Sequence, residues 1–257
     1  MVHEVAASGF GAQAGTYDRA RPSYPPELVD FFVEHLHLGP GTLVLDLAAG
    51  TGKLTRLLTP SGADLIAVEP VTGMAWVLRE GSPAVSLVSA TAEALPVADD
   101  SLDAVTVAQA FHWFDAEAAF DELARVLRPG GRVGLVWNAR DRSRNWVNQV
   151  WDIMDRVEKR APWRDHDQWG DSALGERAGF GPLHEATFHH DHLLTPDDVV
   201  ARVASVSHVA VLPEEANASV LAEIRELLRN HPDTRGRAEL AIPYRVDAYW
   251  CERIPAA

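Results

Sequence analysis

The sequence contains very little cysteine and no long apolar run. Cys251 is the single cysteine among 257 residues, so it cannot form an internal disulfide. The first residues also lack the basic region and apolar run that are typical of a signal peptide. The longest uncharged apolar stretch, residues 104–114, is interrupted by polar side chains and is far too short to cross a bilayer. We therefore expect a reduced, cytoplasmic protein without membrane spans.

Basic residues are scarce relative to acidic ones. The chain has 23 Lys and Arg against 37 Asp and Glu, which gives a formal net charge of −14. This charge opposes binding to a nucleic-acid backbone unless basic residues cluster, and the densest basic stretch, residues 140–144, also contains Asp141. We expect neither a nucleic-acid nor a membrane partner, and the sequence leaves the oligomeric state open.

Strand-like and helix-like stretches alternate in the first half of the chain, which is typical of βαβ units that build a mostly parallel sheet. The expected strands are residues 42–47, 65–68, 85–88, 102–108 and 132–137. Asp115 is expected to cap the helix that follows the fourth strand. After residue 138 the alternation stops in a tryptophan-rich stretch, which predicts a helical cap at residues 138–182. Strands return at 185–194 and 241–253, and we interpret residues 1–257 as one domain.

The most informative segment is residues 44–53, an apolar strand followed by a turn with two glycines and the start of a helix. Glycines allow the backbone to approach a ligand closely, and a helix N-terminus offers free N–H groups, so the pattern suits a nucleotide-like ligand. Glu69 closes the second strand, where a carboxylate can accept both hydroxyls of a ribose. Glu93 follows the third strand, where an adenine ring can stack.

These motifs resemble, in order and spacing, those of class I S-adenosylmethionine-dependent methyltransferases. The resemblance covers residues 17–137 and rests on Asp46-x-Ala48-x-Gly50-x-Gly52, Glu69-Pro70, Ala92-Glu93-x-Leu95-Pro96, the Asp-rich residues 99–103 and the Leu-Arg-Pro-Gly-Gly of residues 127–131. Residues 17–25 and 109–114 resemble the branch that includes trans-aconitate methyltransferase. The resemblance implies a doubly wound, Rossmann-like α/β fold with a seven-stranded, mostly parallel sheet, an antiparallel last strand and an inserted helical cap. It also implies S-adenosylmethionine as cofactor and S-adenosylhomocysteine as product.

The resemblance further implies which positions contact the cofactor. From the methionine portion through the ribose to the adenine, these are Asp46, Ala48, Gly50, Gly52, Glu69, Pro70, Ala92 and Glu93. Gln109 would lie beside the sulfonium, and Tyr17 and Arg21 would close over the cofactor from an N-terminal segment, residues 1–40. The sequence departs from the family at Ala48, where relatives have glycine, and at Thr91, where many have aspartate.

Fewer sequence features indicate which residues bind the methyl acceptor. Methyl transfer from a sulfonium needs a general base only if the acceptor carries a proton. His112 is the candidate base, because it follows the fourth strand at the edge where ligands bind in this architecture; a packing histidine is the alternative. The candidate acceptor contacts are Trp113, Asn138, Arg140 and Trp146.

We expect the acceptor to be a small organic molecule. The family branch suggests a carboxylate, attracted by the arginines at 140, 142 and 144, whereas the tryptophans suggest a natural product of secondary metabolism. His189, His190 and His192 lack partners at a metal-binding spacing, so no metal is expected. Two alternatives stay open: a non-catalytic S-adenosylmethionine-binding protein, and an NAD-dependent oxidoreductase. The second is disfavoured because Thr55 occupies the third glycine position of the dinucleotide motif.

Overall fold

A seven-stranded sheet forms the centre of the computed structural model, which describes residues 18, 20–157 and 179–254. Its strands are β1 (Leu43–Leu47), β2 (Asp64–Val68), β3 (Ser86–Val88), β4 (Leu102–Ala108), β5 (Leu127–Arg140), β6 (His184–Leu194) and β7 (Leu240–Glu252). They lie in the order β3-β2-β1-β4-β5-β7-β6. All pairs among β1 to β5 are parallel, and β7 is antiparallel to both of its neighbours. This topology confirms the predicted doubly wound α/β fold with its antiparallel last strand.

The helices connect and cover these strands. They are α1 (Pro26–His35), α2 (Lys53–Leu58), α3 (Thr72–Gly81), α4 (Ala116–Val126), α5 (Asn145–Val157), α6 (Pro196–Ala204), α7 (Ser207–Ala210) and α8 (Glu214–Asn230), with 3-10 turns at Thr59–Ser61 and Phe111–Trp113. The Asp115 carboxylate accepts a hydrogen bond from the Ala118 N–H at the start of α4, as predicted. Within the part of the chain that the structure describes, no helix is long and apolar enough to span a membrane.

The fifth strand is longer than predicted at both ends. At its start, Leu127 pairs with Leu102 of β4, and the register then shifts while Gly130 takes the left-handed conformation (φ +81°). At its other end, Arg140 still pairs with Tyr244 of β7. The glycine-rich residues that follow α4 therefore lie within β5, where Gly130 donates to the Arg253 carbonyl and Gly131 accepts the Arg253 N–H just beyond β7.

Three clusters of buried apolar side chains support the fold. One joins α4 to β4 and β5, and a second packs α1 against β1 and the middle of β7. The third cluster consists of α5, α6 and α8 together with the ends of β6 and β7, and we call these elements the cap. The cap thus begins in the predicted stretch 138–182 but continues into helices that follow β6. Residues 158–178 of that stretch lie outside the described residues.

Candidate cofactor and acceptor site

The turn between β1 and α2 has an unusual backbone. Ala48, Gly50 and Gly52 all adopt positive φ angles, of 53°, 59° and 82°. At Gly52 a Cβ atom would lie only 2.9 Å from the Cγ of Leu78, whereas a Cβ at Gly50 would meet nothing nearer than the Met74 sulfur at 3.7 Å. The left-handed conformation costs a non-glycine residue about 1–2 kcal/mol, and such strain is concentrated at functional sites. The turn is therefore held open at Gly50 and closely packed at Gly52.

Asp46 lies beneath this turn and is buried, with 1% of its surface exposed. Its two carboxylate oxygens accept hydrogen bonds from the hydroxyls of Thr55 on α2 and Thr106 on β4. Burial raises the pKa of Asp46 to about 6, against the opposing effect of these hydroxyl hydrogen bonds. In this position the carboxylate ties β1 to β4 and to the start of α2. Direct contact of Asp46 with the methionine portion of a cofactor stays a prediction.

Glu69, at the end of β2, is joined directly to the glycine turn. One carboxylate oxygen accepts the N–H of Gly50 at 2.8 Å, and the other accepts the N–H of Val71 at 2.7 Å. Burial raises the pKa of Glu69, and the nearby Asp46 raises it further, while the two backbone hydrogen bonds lower it. Each oxygen keeps a second lone pair that can accept a hydroxyl. Pro70, half-buried beside it, continues the chain towards α3.

The predicted adenine position lies after β3. Ala92 is buried in the cluster around α4, and the Glu93 carboxylate accepts the N–H of Asp115 at 3.1 Å. Burial raises the pKa of Glu93, but hydrogen bonds from the Thr91 hydroxyl and the Asp115 N–H outweigh it, so that the pKa is lowered. Thr91, the departure from the family pattern, thus contacts the carboxylate that is predicted to face the adenine.

Gln109 directly follows β4 and is strained. Its φ of 59° is rare for a residue with a side chain, and its N–H is held by the Val136 carbonyl at 2.9 Å. The side-chain Nε2 is buried and has no hydrogen-bond partner among the described residues. A buried amide nitrogen without a partner costs about 1–3 kcal/mol. This position is therefore suited to a ligand that supplies an acceptor.

His112 and Trp113 lie in the 3-10 turn that follows. The Nε1 of Trp137, on β5, donates to the Nδ1 of His112 at 3.5 Å, and both His112 and Trp113 are partly exposed. The turn thus presents the His112 imidazole close to the carboxyl end of β4.

The N-terminal segment reaches over the glycine turn. The Asp18 carboxylate accepts the Thr51 hydroxyl at 2.6 Å and the Arg56 guanidinium at 3.0 Å, and Lys53 lies 3.8 Å away. Further along, the Arg21 guanidinium donates to the Ser205 carbonyl at the end of α6. The segment therefore connects the turn to the cap. Tyr17 lies outside the described residues.

The predicted acceptor contacts separate into different environments. Asn138 donates to the Ser23 carbonyl and lies 3.2 Å from the His190 ring, so that it joins β5 to the N-terminal segment and to β6. Arg140 is paired with Asp155 at 3.0 Å and lies 4.8 Å from the centre of the Trp151 ring. Trp146 is 4% exposed and packs in the core of the cap.

The arginines near residue 140 do not form a free positive patch. Arg142 is paired with Asp152 and Asp155, and Arg144 with Asp191, in addition to the pair that Arg140 makes. Acidic side chains thus neutralise all three guanidinium groups. Attraction of an anionic acceptor by these arginines stays a prediction, and an acceptor would have to compete with the carboxylates that pair them.

The three histidines of β6 do not form a metal centre. His189 is exposed, His190 and His192 are half-buried, and no group of three potential metal ligands occurs in residues 18, 20–157 and 179–254. Burial lowers the pKa of His192 to about 4, and the positive charges of Arg202 and Lys53 add to this effect.

Sequence reasoning missed several residues that shape the site. The sequence pattern predicts no contact for Asp18, and it does not predict that Thr55 and Thr106 hold Asp46. Thr106 could have been found from the sequence, because it is a polar residue within the apolar run of β4. The structure places it in register with Asp46 on the neighbouring strand. Asp18 gave no comparable signal, because its partners come from a turn far along the chain.

The chain is similar to known methyltransferases in sequence and in fold. Residues 45–135 match the family described as Methyltransferase domain. An uncharacterised methyltransferase of Mycobacterium tuberculosis is 41% identical over 235 residues, which cover 91% of each chain. A structure from Anaeromyxobacter dehalogenans, assigned as a type II methyltransferase, superposes with a TM-score of 0.66 at 26% identity and covers 92% of this chain and 99% of that one.

A more distant structure shares the fold. It is a phosphoethanolamine N-methyltransferase of Haemonchus contortus in complex with S-adenosylhomocysteine and phosphomonomethylethanolamine, with a TM-score of 0.54 at 13% identity. It covers 98% of this chain and 59% of that one. The fold is that of the Rossmann-like methyltransferases. The chain belongs to the methyltransferase family and is an S-adenosylmethionine-dependent enzyme of that family.

Proposed function

We propose that the protein transfers the methyl group of S-adenosylmethionine to a small organic acceptor and releases S-adenosylhomocysteine. The observation that carries the proposal is the convergence of the glycine turn, the buried Glu69 carboxylate and the unsatisfied amide of Gln109 at the carboxyl ends of β1, β2 and β4. Ligands of open α/β sheets bind at this edge, near the point where the strand order reverses.

The residues at this edge fit S-adenosylmethionine. The Glu69 oxygens have lone pairs left for two ribose hydroxyls, the open side of Gly50 admits a close approach, and the Gln109 amide lacks an acceptor. Glu93 and Ala92 would face the adenine, and Arg21 with Tyr17 would close over the carboxylate of the methionine portion. When bound, the cofactor supplies an electrophilic methyl group on a sulfonium.

The protein's own contribution is mainly to position the acceptor and to exclude water. Orientation of two reactants can supply roughly 7–11 kcal/mol of a barrier. The N-terminal segment, held by Asp18 and Arg21, and the cap provide the walls for this. If the acceptor carries a proton, His112 is the proposed base. It would take that proton at Nδ1 in place of the Trp137 N–H, because the other nitrogen of the neutral ring, Nε2, then carries the hydrogen. A carboxylate acceptor needs no base.

Calorimetric titration with S-adenosylmethionine tests the proposal. We expect Glu69→Ala to weaken binding at least 100-fold, since a charge-assisted hydrogen bond is worth about 1.5–3 kcal/mol and two are lost. Glu80→Ala, an exposed position on α3, is the matched control and should bind as the parent protein does. NADH titrated in parallel should bind far more weakly. Unchanged affinity in Glu69→Ala, or a preference for NADH, would contradict the proposal.

A further inference from the structure

The cap contains a buried arginine that has no ion-pair partner among the residues that the structure describes. Arg202, on α6, is 6% exposed. Its Nε donates to the Tyr244 hydroxyl at 3.2 Å, and its guanidinium lies 5.9 Å from the centre of the Trp151 ring. Among the described residues no carboxylate lies within ion-pair distance of it, and its Nη1 is buried without a hydrogen-bond partner. Asp198, one helical turn earlier, is bonded instead to Thr195.

A second unsatisfied group lies next to it. The Nδ1 of His192, on β6, is buried and has no hydrogen-bond partner in the described part of the chain. The ring lies 6.4 Å from that of Tyr244, and the charge of Arg202 contributes to lowering the His192 pKa. His192 is therefore neutral near pH 7, and its ring can donate one hydrogen bond. Arg202 and His192 thus each present a buried nitrogen without a partner among the described residues, and both lie near Tyr244.

Burying the Arg202 charge without a counter-ion destabilises the folded protein, so a purely structural role does not explain this residue. A buried ion that lacks its counter-ion costs several kcal/mol, and proteins commonly pair such ions. Arginines near the cap that are more exposed do have partners: Arg140 and Arg142 both contact Asp155, and Arg156 contacts Glu223. Arg202 is more deeply buried than these and has no such partner among the described residues. An unpaired charge with free donors is what a binding site for an anion requires before the anion arrives.

The cluster is connected to the N-terminal segment. The Ser205 hydroxyl donates to the Arg202 carbonyl, and the Ser205 carbonyl accepts Arg21 of the N-terminal segment. The charge of Lys53, the first residue of α2, also contributes to the lowered pKa of His192. The cluster therefore lies between the cap and the elements that hold the glycine turn.

We propose that Arg202, with Tyr244 and His192, binds the carboxylate of the methyl acceptor. One guanidinium matches one negative charge, which favours a carboxylate over a phosphate dianion. The surrounding cluster of Trp151, Val199 and Val203 is apolar, which favours an acceptor with an apolar body. This inference rests on the proposed function and narrows its acceptor class to organic monoacids with an apolar chain or ring.

Thermal unfolding of the full-length protein, saturated with S-adenosylhomocysteine, tests whether the Arg202 cluster binds a carboxylate. The probes are hexanoate and 3-phenylpropionate, each compared with its own primary amide, and inorganic phosphate. A ligand that binds the folded state raises the melting temperature with its concentration. We expect both carboxylates to raise it, and the amides and phosphate to raise it much less. Equal effects of acid and amide, or no effect of either acid, would overturn the proposal.

Variants separate binding from folding. Arg202→Met keeps the apolar length and removes the charge, so carboxylate affinity should fall at least tenfold while S-adenosylhomocysteine still stabilises the variant. Arg225→Met, exposed on α8, is the control and should behave as the parent protein. If Arg202 had only a structural role, Arg202→Met would lower the melting temperature but would leave the ratio of carboxylate to amide affinity unchanged. That result would refute the site. If Arg202→Met does not fold, Arg202→Lys should show a severalfold loss of carboxylate affinity.

The same experiment distinguishes the two proposals. Failure of the parent protein to be stabilised by S-adenosylhomocysteine would count against the proposed function. Normal stabilisation by S-adenosylhomocysteine without any acid preference would count against the carboxylate site alone.

Discussion

At the scale of single residues, the site depends on buried carboxylates that hold the backbone in place. Asp46 accepts two threonine hydroxyls beneath the glycine turn, and Glu69 accepts two backbone N–H groups beside it. Both carboxylates have raised pKa values because burial disfavours their charged forms. Burial of these two carboxylates thus lowers the stability of the folded state, while their hydrogen bonds fix the geometry of the glycine turn.

The raised pKa of Asp46 makes a prediction about pH. Because its folded-state pKa is about 6 and the ordinary value is 3.8, the folded state binds a proton more tightly than the unfolded state between these values. The contribution of Asp46 to the free energy of unfolding therefore falls as pH rises through this window, by an amount on the order of 1–3 kcal/mol, and is constant above it. Asp46→Asn cannot ionise and should lack this fall.

Chemical denaturation of the ligand-free protein at pH 4 and pH 7 measures the effect. The free energy of unfolding of the parent protein minus that of Asp46→Asn should be larger at pH 4 than at pH 7. Asp64→Asn, at an exposed position of β2, is the control and should show no such change. A difference that is the same at both pH values would refute the account of Asp46.

At the scale of elements, the N-terminal segment and the cap enclose the edge of the sheet. The segment is fastened at one end by Asp18 to the glycine turn and at the other by Arg21 to the end of α6. Burial raises the pKa of Asp18, but the Thr51 hydroxyl and the charges of Lys53 and Arg56 lower it more, so the carboxylate is stabilised in its charged form. We infer that this contact keeps the segment over the cofactor.

Release of this contact should weaken cofactor binding. Asp18→Ala removes a charged acceptor that contacts Thr51 and Arg56, and a charge-assisted hydrogen bond is worth about 1.5–3 kcal/mol. We expect the Kd for S-adenosylmethionine to rise about tenfold with little change in melting temperature. Asp30→Ala, exposed on α1, serves as the control. Identical affinities in Asp18→Ala and the parent protein would show that the contact does not hold the segment closed.

The elements also show how far sequence reasoning reaches. The strands near the glycine turn were predicted within a few residues, because apolar runs and capping residues such as Asp115 are local signals. The extension of β5 to Arg140 was missed, since it depends on pairing with β7, more than a hundred residues later in the sequence. The cap was predicted as an insertion, but its recruitment of α6 and α8 follows from packing that no local pattern encodes.

At the scale of the whole molecule, the charged side chains differ in whether they have a partner of opposite charge. Acidic side chains pair Arg140, Arg142 and Arg144, whereas the buried Arg202 has no carboxylate partner in the part of the chain that the structure describes. Composition alone could not reveal this, because a net charge of −14 does not say which cation stays unpaired. The same holds for Gln109, whose strain and unsatisfied amide appear only once the sheet is assembled.

A crystal structure with S-adenosylhomocysteine bound tests the central claim most directly. The account predicts that the Glu69 carboxylate contacts the ribose hydroxyls, that the adenine lies against Ala92 and Glu93, and that the sulfur lies beside Gln109. A nucleoside bound elsewhere, or a Glu69 carboxylate that still contacts only Gly50 and Val71, would contradict it.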